Sequence, residues 1–470
     1  MQGEIMTQFD RRNFLKSASL AGAASLVVGC SEFTPVSKKA SIPKSQGKNV
    51  ADLHAKPIEN VRVGIIGLGM RGYGAAYRLS KIQGCTVTAI CDVRPKMVAR
   101  AQKMLGSKEV AKSAEYTNSS DAWKKMCQRD DLDLIYICTP WDLHTPNAVY
   151  AMNHGKHAAI EVPAALTIEE CWQLVNTSER TQKHCMMLEN CCYDQFEMMT
   201  LNMVRKGVLG DLIHGEAAYI HDLRSLNFSK NGYYEMWRLV ENAKRNGNLY
   251  PTHGLGPIAQ CMNINRGDAF TYLNSMSSND FNMGKIARAK AKSDPFFKQF
   301  EKANFRGNMN STMIRTQKGR TILVQHDVTS PRPYTRIHML SGTKGFAQKW
   351  PYSVISLDGY KFSDGKKANP HKFLDAKQLA EIKRKFEHPL YKNMGQWAKN
   401  LGGHGGMDSL MDWRLIYCLR KGLPVDQNVY DAASWSAISP LSEWSVANRS
   451  NSIDIPDFTR GAWKTTSHCK

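Results

Sequence analysis

Val61-Arg62-Val63-Gly64-Ile65-Ile66-Gly67-Leu68-Gly69-Met70-Arg71-Gly72 is the stretch on which the fold turns. A short apolar run rich in β-branched residues meets Gly67-x-Gly69-x-x-Gly72, and a helix-compatible segment follows over 75–80. Strand, tight turn and helix in that order set backbone N–H groups and a positive helix end against a pyrophosphate. Glycines so spaced also occur in ordinary βα turns, so the context decides. A second apolar run over 85–91 ends at Asp92, about twenty residues past the glycines, where a ribose-binding acid is expected. A carboxylate there accepts hydrogen bonds from an adenosine ribose and repels a 2′-phosphate, which predicts NAD rather than NADP.

Outward from that stretch, strand and helix signals alternate. Helices are predicted over 96–105, 145–154 and 167–183, the last with an acidic first turn at Glu169-Glu170. Strands are predicted over 132–138, 157–161 and 186–190. This is an α/β pattern, and it predicts a Rossmann dinucleotide-binding domain over 59–188. The later half changes character. Strands over 212–221, 270–278, 312–326, 334–341 and 346–350 follow without long helices between them. Turns at 317–319 and 341–345 join hairpins, and closing helices are expected over 409–419 and 429–448. The expectation is a substrate-binding α+β domain over 189–470 with a mostly antiparallel open sheet.

At 470 residues, 42% hydrophobic and 22% charged, the chain can bury two cores. Its net charge of +21 reads as a solvated basic surface, open to attraction by anionic glycans or a membrane. With no zinc finger, RRM motif or basic heptad helix, nucleic acid is not an expected partner. Twelve cysteines without a C-x-x-C pair predict free thiols and no metal site; the adjacent Cys191-Cys192 lack chelating spacing. Asp10-Arg11-Arg12-Asn13-Phe14-Leu15-Lys16 resembles a twin-arginine export signal, and Val27-Val28-Gly29-Cys30 resembles a lipobox. Residues 1–30 then form a signal, Cys30 is lipidated (the palmitate-bearing residue of a lipoprotein), and a polar linker over 31–58 holds the body off the membrane. The expected location is the periplasmic or surface side of a cell membrane, reached through the lipid anchor only.

Gly67-x-Gly69-x-x-Gly72, Cys91-Asp92, Thr139-Pro140, His144 and Glu161-x-Pro163 together resemble the glucose–fructose oxidoreductase and inositol dehydrogenase superfamily. Dehydrogenases of that superfamily carry Glu-Lys-Pro, whose lysine moves a proton. Here the middle residue is Val162, which cannot. Met70-Arg71, Trp141-Asp142-Leu143-His144, Glu161-Val162-Pro163-Ala164-Ala165, Asn190-Cys191-Cys192-Tyr193, Trp237-Arg238 and Tyr250-Pro251-Thr252-His253-Gly254 resemble one branch, the NAD-dependent α-N-acetylgalactosaminidases of glycoside hydrolase family 109. The resemblance implies that Gly67, Gly69, Met70, Arg71, Gly72, Asp92, Trp141, Asp142, Leu143, His144, Glu161, Val162 and Asn190 bind NAD. It implies that Tyr219, Arg238, Tyr250, Pro251, Thr252, His253 and Tyr334 line a sugar site, with His253, Tyr250 and Tyr193 as candidate proton carriers. The implied reaction hydrolyses terminal α-linked N-acetylgalactosamine through transient oxidation at C3, elimination, water addition and re-reduction, outside the two-carboxylate scheme. An NAD-dependent sugar or inositol dehydrogenase and a non-catalytic sugar-binding lipoprotein are the alternatives. Val162 and the export signal weigh against the first, because free NAD is scarce outside the cytoplasm. The density of protonatable side chains weighs against the second. Oligomerisation is left open.

Overall fold

The computed structural model describes residues 42–106 and 112–466. The twin-arginine segment and Cys30 lie outside the described residues. The leading stretch forms strand β1 (Val61–Ile66), with Val61, Val63 and Ile65 wholly buried. It joins β2 (Cys85–Cys91), β3 (Ala114–Tyr116), β4 (Leu134–Ile137), β5 (His157–Ile160) and β6 (Cys185–Met187) in a parallel sheet of order β3-β2-β1-β4-β5-β6. Every residue of β4 and β5 is buried, which explains why these runs show no polar alternation: helices cover both faces. The helix Ile168–Thr181 starts where its acidic turn predicts. Thr167 accepts from the Glu170 N–H, and the Glu170 side chain returns the bond. The order reverses between β1 and β4, the place where open sheets of this kind bind ligands.

The second sheet contains β7 (Leu212–Ile220), β8 (Phe270–Ser277), β9 (Asn310–Thr316), β10 (Thr321–Asp327), β11 (Met339–Gly342), β12 (Gly345–Gln348), β13 (Val354–Leu357) and β14 (Ile453–Asp454). Its order is β13-β12-β11-β7-β10-β9-β8-β14, antiparallel throughout except for β7 beside β10.

Several expectations are corrected. Helices Trp237–Lys244, Thr252–Cys261 and Met283–Ser293 interrupt the strands of the later half. The strand expected over 334–341 shrinks to β11, because Ile337 and His338 adopt positive φ. The helix expected over 429–448 divides into Val429–Ser436 and Ile438–Ala447. The strand expected over 186–190 stops at Met187, and a 3-10 turn, Asn190–Tyr193, takes its place. Residues 42–58, expected as linker, lie against the body. Val50 and Ala51 are buried, the Val50 N–H donates to the Tyr430 hydroxyl, and the Asn428 amide donates to the Ala51 carbonyl. No helix among the described residues is long and apolar enough to cross a membrane.

Two buried histidines make the fold sensitive to acid. Burial pushes His184 down to about 4 and His338 down to about 3, each helped by neighbouring positive charge. An unfolded histidine takes its proton near 6.5, so between that pH and 4 the unfolded chain binds more protons and stability falls as pH falls. His184 alone should contribute on the order of 3 kcal/mol to this loss. Thermal melts should therefore drop steadily from pH 7 to pH 4, and a flat melting temperature over that range would contradict the burial of these rings as neutral species.

Candidate active site

The dinucleotide turn is built by exclusion of side chains. Gly67 has φ +85°, and a Cβ there would lie 2.6 Å from the Cys138 carbonyl oxygen. A Cβ on Gly72 would lie 1.7 Å from the Gly67 carbonyl oxygen, which is why the helix Met70–Leu79 can pack so close to the turn. Gly69 differs: its Cβ would meet nothing nearer than the Arg94 guanidinium at 4.0 Å. That open side, at the N-terminus of the helix, fits a pyrophosphate approaching the backbone. Asp92 is buried at the end of β2, where its carboxylate accepts from the Leu68 N–H at 2.8 Å and the Arg94 N–H at 2.9 Å. The Arg94 side chain adds a contact at 3.1 Å and is a quarter exposed. The residues present fit an NAD-type dinucleotide.

The rest of the cradle is braced by charge. Arg71 donates to Glu161 at 2.7 Å and to Asp408 at 2.9 Å. The Asn190 amide donates to the other Asp408 oxygen at 2.6 Å. Burial pushes the Asp408 carboxyl up, but Arg71, His404 and Arg78 outweigh it and hold the group well below the usual range. Sequence reading missed Asp408, because it lies 337 residues from Arg71. His144 is also fully engaged. Its Nδ1 lies 2.7 Å from the Pro163 carbonyl and its Nε2 2.9 Å from that of Thr139, so the ring ties together the loops after β4 and β5. Val162 is buried beside it, while Met70, Asp142 and Leu143 are exposed at the rim.

Beside the cradle the second domain contributes a cluster of rings. The Arg238 guanidinium lies 4.6–5.2 Å from the ring centroids of Tyr233, Tyr250, Trp141 and Trp237, and donates to the Tyr233 hydroxyl at 2.9 Å. Trp141 stacks on Tyr250 at 5.8 Å. Tyr219, at the end of β7, then contacts Tyr250, His221 and His253 at 4.6–5.1 Å. Tyr334 closes the row against His221 at 5.1 Å. The expected residues Trp141, Tyr219, Arg238, Tyr250, His253 and Tyr334 thus come together. Pro251 and Thr252 are buried at the helix start beneath them.

His253 reaches this cluster because its helix is pressed inward by small residues. A Cβ on Gly254 would lie 2.4 Å from the Ala218 nitrogen, and one on Gly256 would lie 3.0 Å from the Glu189 side chain. The close approach sets His253 Nδ1 2.8 Å from Glu189 Oε1. Glu189 is fully buried and also accepts the Cys191 N–H at 3.0 Å. Burial raises its pKa, yet the His253 charge and these hydrogen bonds win, and the carboxyl is held below its ordinary value. In the neutral ring, a carboxylate beside Nδ1 holds the one ring proton there and leaves the Nε2 lone pair free. Burial pushes the Tyr250 hydroxyl well up against the pull of Arg238, and pushes Tyr219 up to about 12, so both phenols remain protonated donors. Burial and the Arg238 charge, joined by His253 whenever that ring is protonated, push His221 down to about 4. Its Nε2 has no hydrogen-bond partner among the described residues.

Glu189 and His221 were not singled out in the sequence. Each follows the carboxyl end of a strand, β6 and β7, and that position was the available signal. Tyr193 is placed elsewhere. Its hydroxyl donates to Asp426 at 3.0 Å, and it lines a cavity of about 350 Å³ with Arg414 and Gln260 on the other side of the Asn190–Tyr193 turn. Its proposed role as a proton carrier at the ring cluster does not fit that direction.

Comparison with known proteins adds to this geometry. Residues 61–189 match the family described as oxidoreductase family, NAD-binding Rossmann fold, and residues 193–465 match glycosyl hydrolase 109, C-terminal domain. The chain is 48% identical to an α-N-acetylgalactosaminidase of Bacteroides fragilis over 88% of this chain and 96% of that one. It is 46% identical to an α-N-acetylgalactosaminidase of Shewanella oneidensis over 98% of both chains. Among solved structures, levoglucosan dehydrogenase in complex with NADH and L-sorbose superposes with a TM-score of 0.61 at 18% identity, covering 85% of this chain and all of that one. The scyllo-inositol dehydrogenase of Lactobacillus casei with NAD(H) and scyllo-inositol gives 0.57 at 14% identity, covering 84% of this chain and 99% of that one. These two share the fold.

Proposed function

The chain belongs to glycosyl hydrolase family 109, and from that premise we propose that it releases terminal α-linked N-acetylgalactosamine from glycans, with NAD as a resident cofactor. The names of the relatives support the substrate. One observation supports the route. Among the described residues the carboxylates Glu161, Glu189 and Asp222, whose charges reach the ring cluster, are each engaged: Glu161 by Arg71, Glu189 by His253 and Asp222 by Arg224. Two-carboxylate hydrolysis needs one carboxyl free as an acid and another free as a base or nucleophile. This site instead offers a positioned histidine and protonated phenols.

NAD, held by the glycine turn and Asp92, would supply a reversible hydride acceptor for sugar C3. The chain's own residues do the rest. His253 Nε2 takes the C2 proton, and Glu189 stabilises the imidazolium so formed. Tyr250 and Tyr219 donate hydrogen bonds to sugar oxygens. Neutral His221 accepts one from a hydroxyl. The rings of Trp141, Tyr250 and Tyr219 exclude water from the reacting face, which strengthens each of these contacts.

Cleavage of a chromogenic α-N-acetylgalactosaminide in D₂O tests the reading. The released sugar should carry deuterium at C2 and its original hydrogen at C3, with no rise in NADH absorbance. Direct displacement would label neither carbon, a dehydrogenase would accumulate NADH, and a binding protein would release nothing.

The placement of the enzyme is part of the same proposal. Arg11-Arg12 before Phe14-Leu15-Lys16, and Cys30 after Val27-Val28-Gly29, support twin-arginine export and a lipid anchor. Such export carries folded protein, so the cofactor is loaded before exit. Arg11→Lys with Arg12→Lys should retain the protein in the cytoplasm, and Cys30→Ala should free it from the membrane fraction. Export of the double lysine variant at the parent level would refute the twin-arginine reading.

A further inference from the structure

Glu189, Cys191 and His253 bring a carboxylate oxygen, a thiol sulfur and an imidazole nitrogen within 4.8 Å of one another. We propose that these three side chains form a binding site for one thiophilic divalent cation of the zinc class, and that occupation of the site switches off turnover. The donor set is the one zinc takes from proteins, and three protein ligands leave a fourth position open to water or a sugar oxygen. Sequence spacing hides the site, because His253 lies 64 residues from Glu189.

The arrangement is held in place before any ion arrives. Glu189 and Cys191 flank Asn190, whose amide is turned away to Asp408. Glu189 is fixed by the Cys191 N–H at 3.0 Å and by His253. The Cys191 thiol makes a weak contact to the Asn190 side-chain oxygen at 3.5 Å, which a metal bond easily replaces. His253 is 15% exposed and gives an ion its way in. Tetrahedral zinc with bonds near 2.0–2.3 Å sets its donors roughly 3.3–3.6 Å apart. The His253–Glu189 contact of 2.8 Å therefore has to open by about half an ångström, and the wider separations, all within 4.8 Å, have to close by at most about 1.2–1.5 Å.

The proton balance explains the inhibition. The ion replaces the proton shared between Nδ1 and Glu189, and the Cys191 thiol gives up its own proton to solvent as the sulfur–metal bond forms. The imidazole keeps one proton, now on Nε2. About one proton is released per ion, and the carboxylate and thiolate together neutralise the divalent charge. With Nε2 protonated, His253 no longer has a lone pair facing the sugar. This inhibition rests on His253 being the base; the binding itself does not.

The test uses the NAD-loaded enzyme after chelator treatment, titrated with ZnCl₂ and with CoCl₂. Calorimetry should show one ion per chain, and cobalt should produce a thiolate-to-metal charge-transfer band that disappears in Cys191→Ser. Zinc should inhibit glycoside cleavage reversibly, with EDTA restoring it, and Cys191→Ser should need at least about tenfold more zinc for the same inhibition. Absence of the cobalt band in the unaltered enzyme overturns the proposal, as does equal zinc sensitivity in Cys191→Ser. If that variant fails to fold, the cobalt spectrum of the unaltered enzyme decides. Because the spectrum requires no glycoside, a failure of the glycosidase reading and a failure of the metal site give different results.

Discussion

Replacing His253 with alanine is expected to cut glycoside turnover by about 10²–10⁴-fold while NAD stays bound. The size of the effect follows from the pairing. Glu189 is fully buried and fixes the imidazole through Nδ1 at 2.8 Å, so the ring is held in one orientation beside Tyr219 and Tyr250. Removing the ring removes both the proton acceptor and the partner of a buried carboxylate. His253 lies in the first turn of the helix and does not touch Asp92 or the glycine turn, so cofactor content should be unchanged by mass spectrometry of the denatured protein. Glu189→Gln probes the same pair differently. Its amide can donate to Nδ1, which favours the tautomer with the proton on Nε2, and turnover should fall with the ring still present. If His253→Ala turns over at near the parent rate, the base is another group. His221, neutral and with an unpartnered Nε2, is then the residue to replace.

The cofactor half of the molecule was legible in the sequence because its signals are local. Val61–Ile66, the three glycines and Asp92 lie within one βαβ unit, and each position has a steric or hydrogen-bonding reason for its residue type. In the sugar half the patterning showed most strands, but the site residues were legible only through resemblance, for physical reasons. The helix Thr252–Cys261 contains Gly254, Gly256 and Pro257, which argue against a helix in water. Packing overrides them, and the two glycines are what allow the helix to reach Ala218 and Glu189. The helix Met283–Ser293 buries only Met283, Gly284, Ala287 and Ala291, too thin an apolar stripe to stand out. Tyr193 was misplaced because neighbours on a 3-10 turn point in different directions: Asn190 to Asp408, and Tyr193 to Asp426. Sequence adjacency to a site residue says little on such a turn.

Gly72→Ala is expected to abolish NAD binding and to destabilise the fold by 3 kcal/mol or more, roughly the upper end for forcing atoms into a packed site. The added Cβ would lie 1.7 Å from the Gly67 carbonyl oxygen. Either the helix Met70–Leu79 or the turn must move. The turn cannot yield toward β4, because Gly67 already stands where its own Cβ would meet the Cys138 carbonyl at 2.6 Å. The helix would have to pull away from the sheet, breaking the Arg71 and Arg78 pairs with Asp408 and Asp412 on the helix Met407–Lys421. Gly69→Val is the contrasting case. Its φ of −67° suits any residue, and its Cβ points into open space. That variant should fold like parent protein stripped of NAD, with the same melting temperature as that stripped form, and still fail to retain the dinucleotide. Bound cofactor stabilises only the folded state, so both variants should melt below the loaded parent, but only Gly72→Ala should melt below the stripped parent as well. Retention of NAD by Gly69→Val would mean that the pyrophosphate does not approach the open side of this turn.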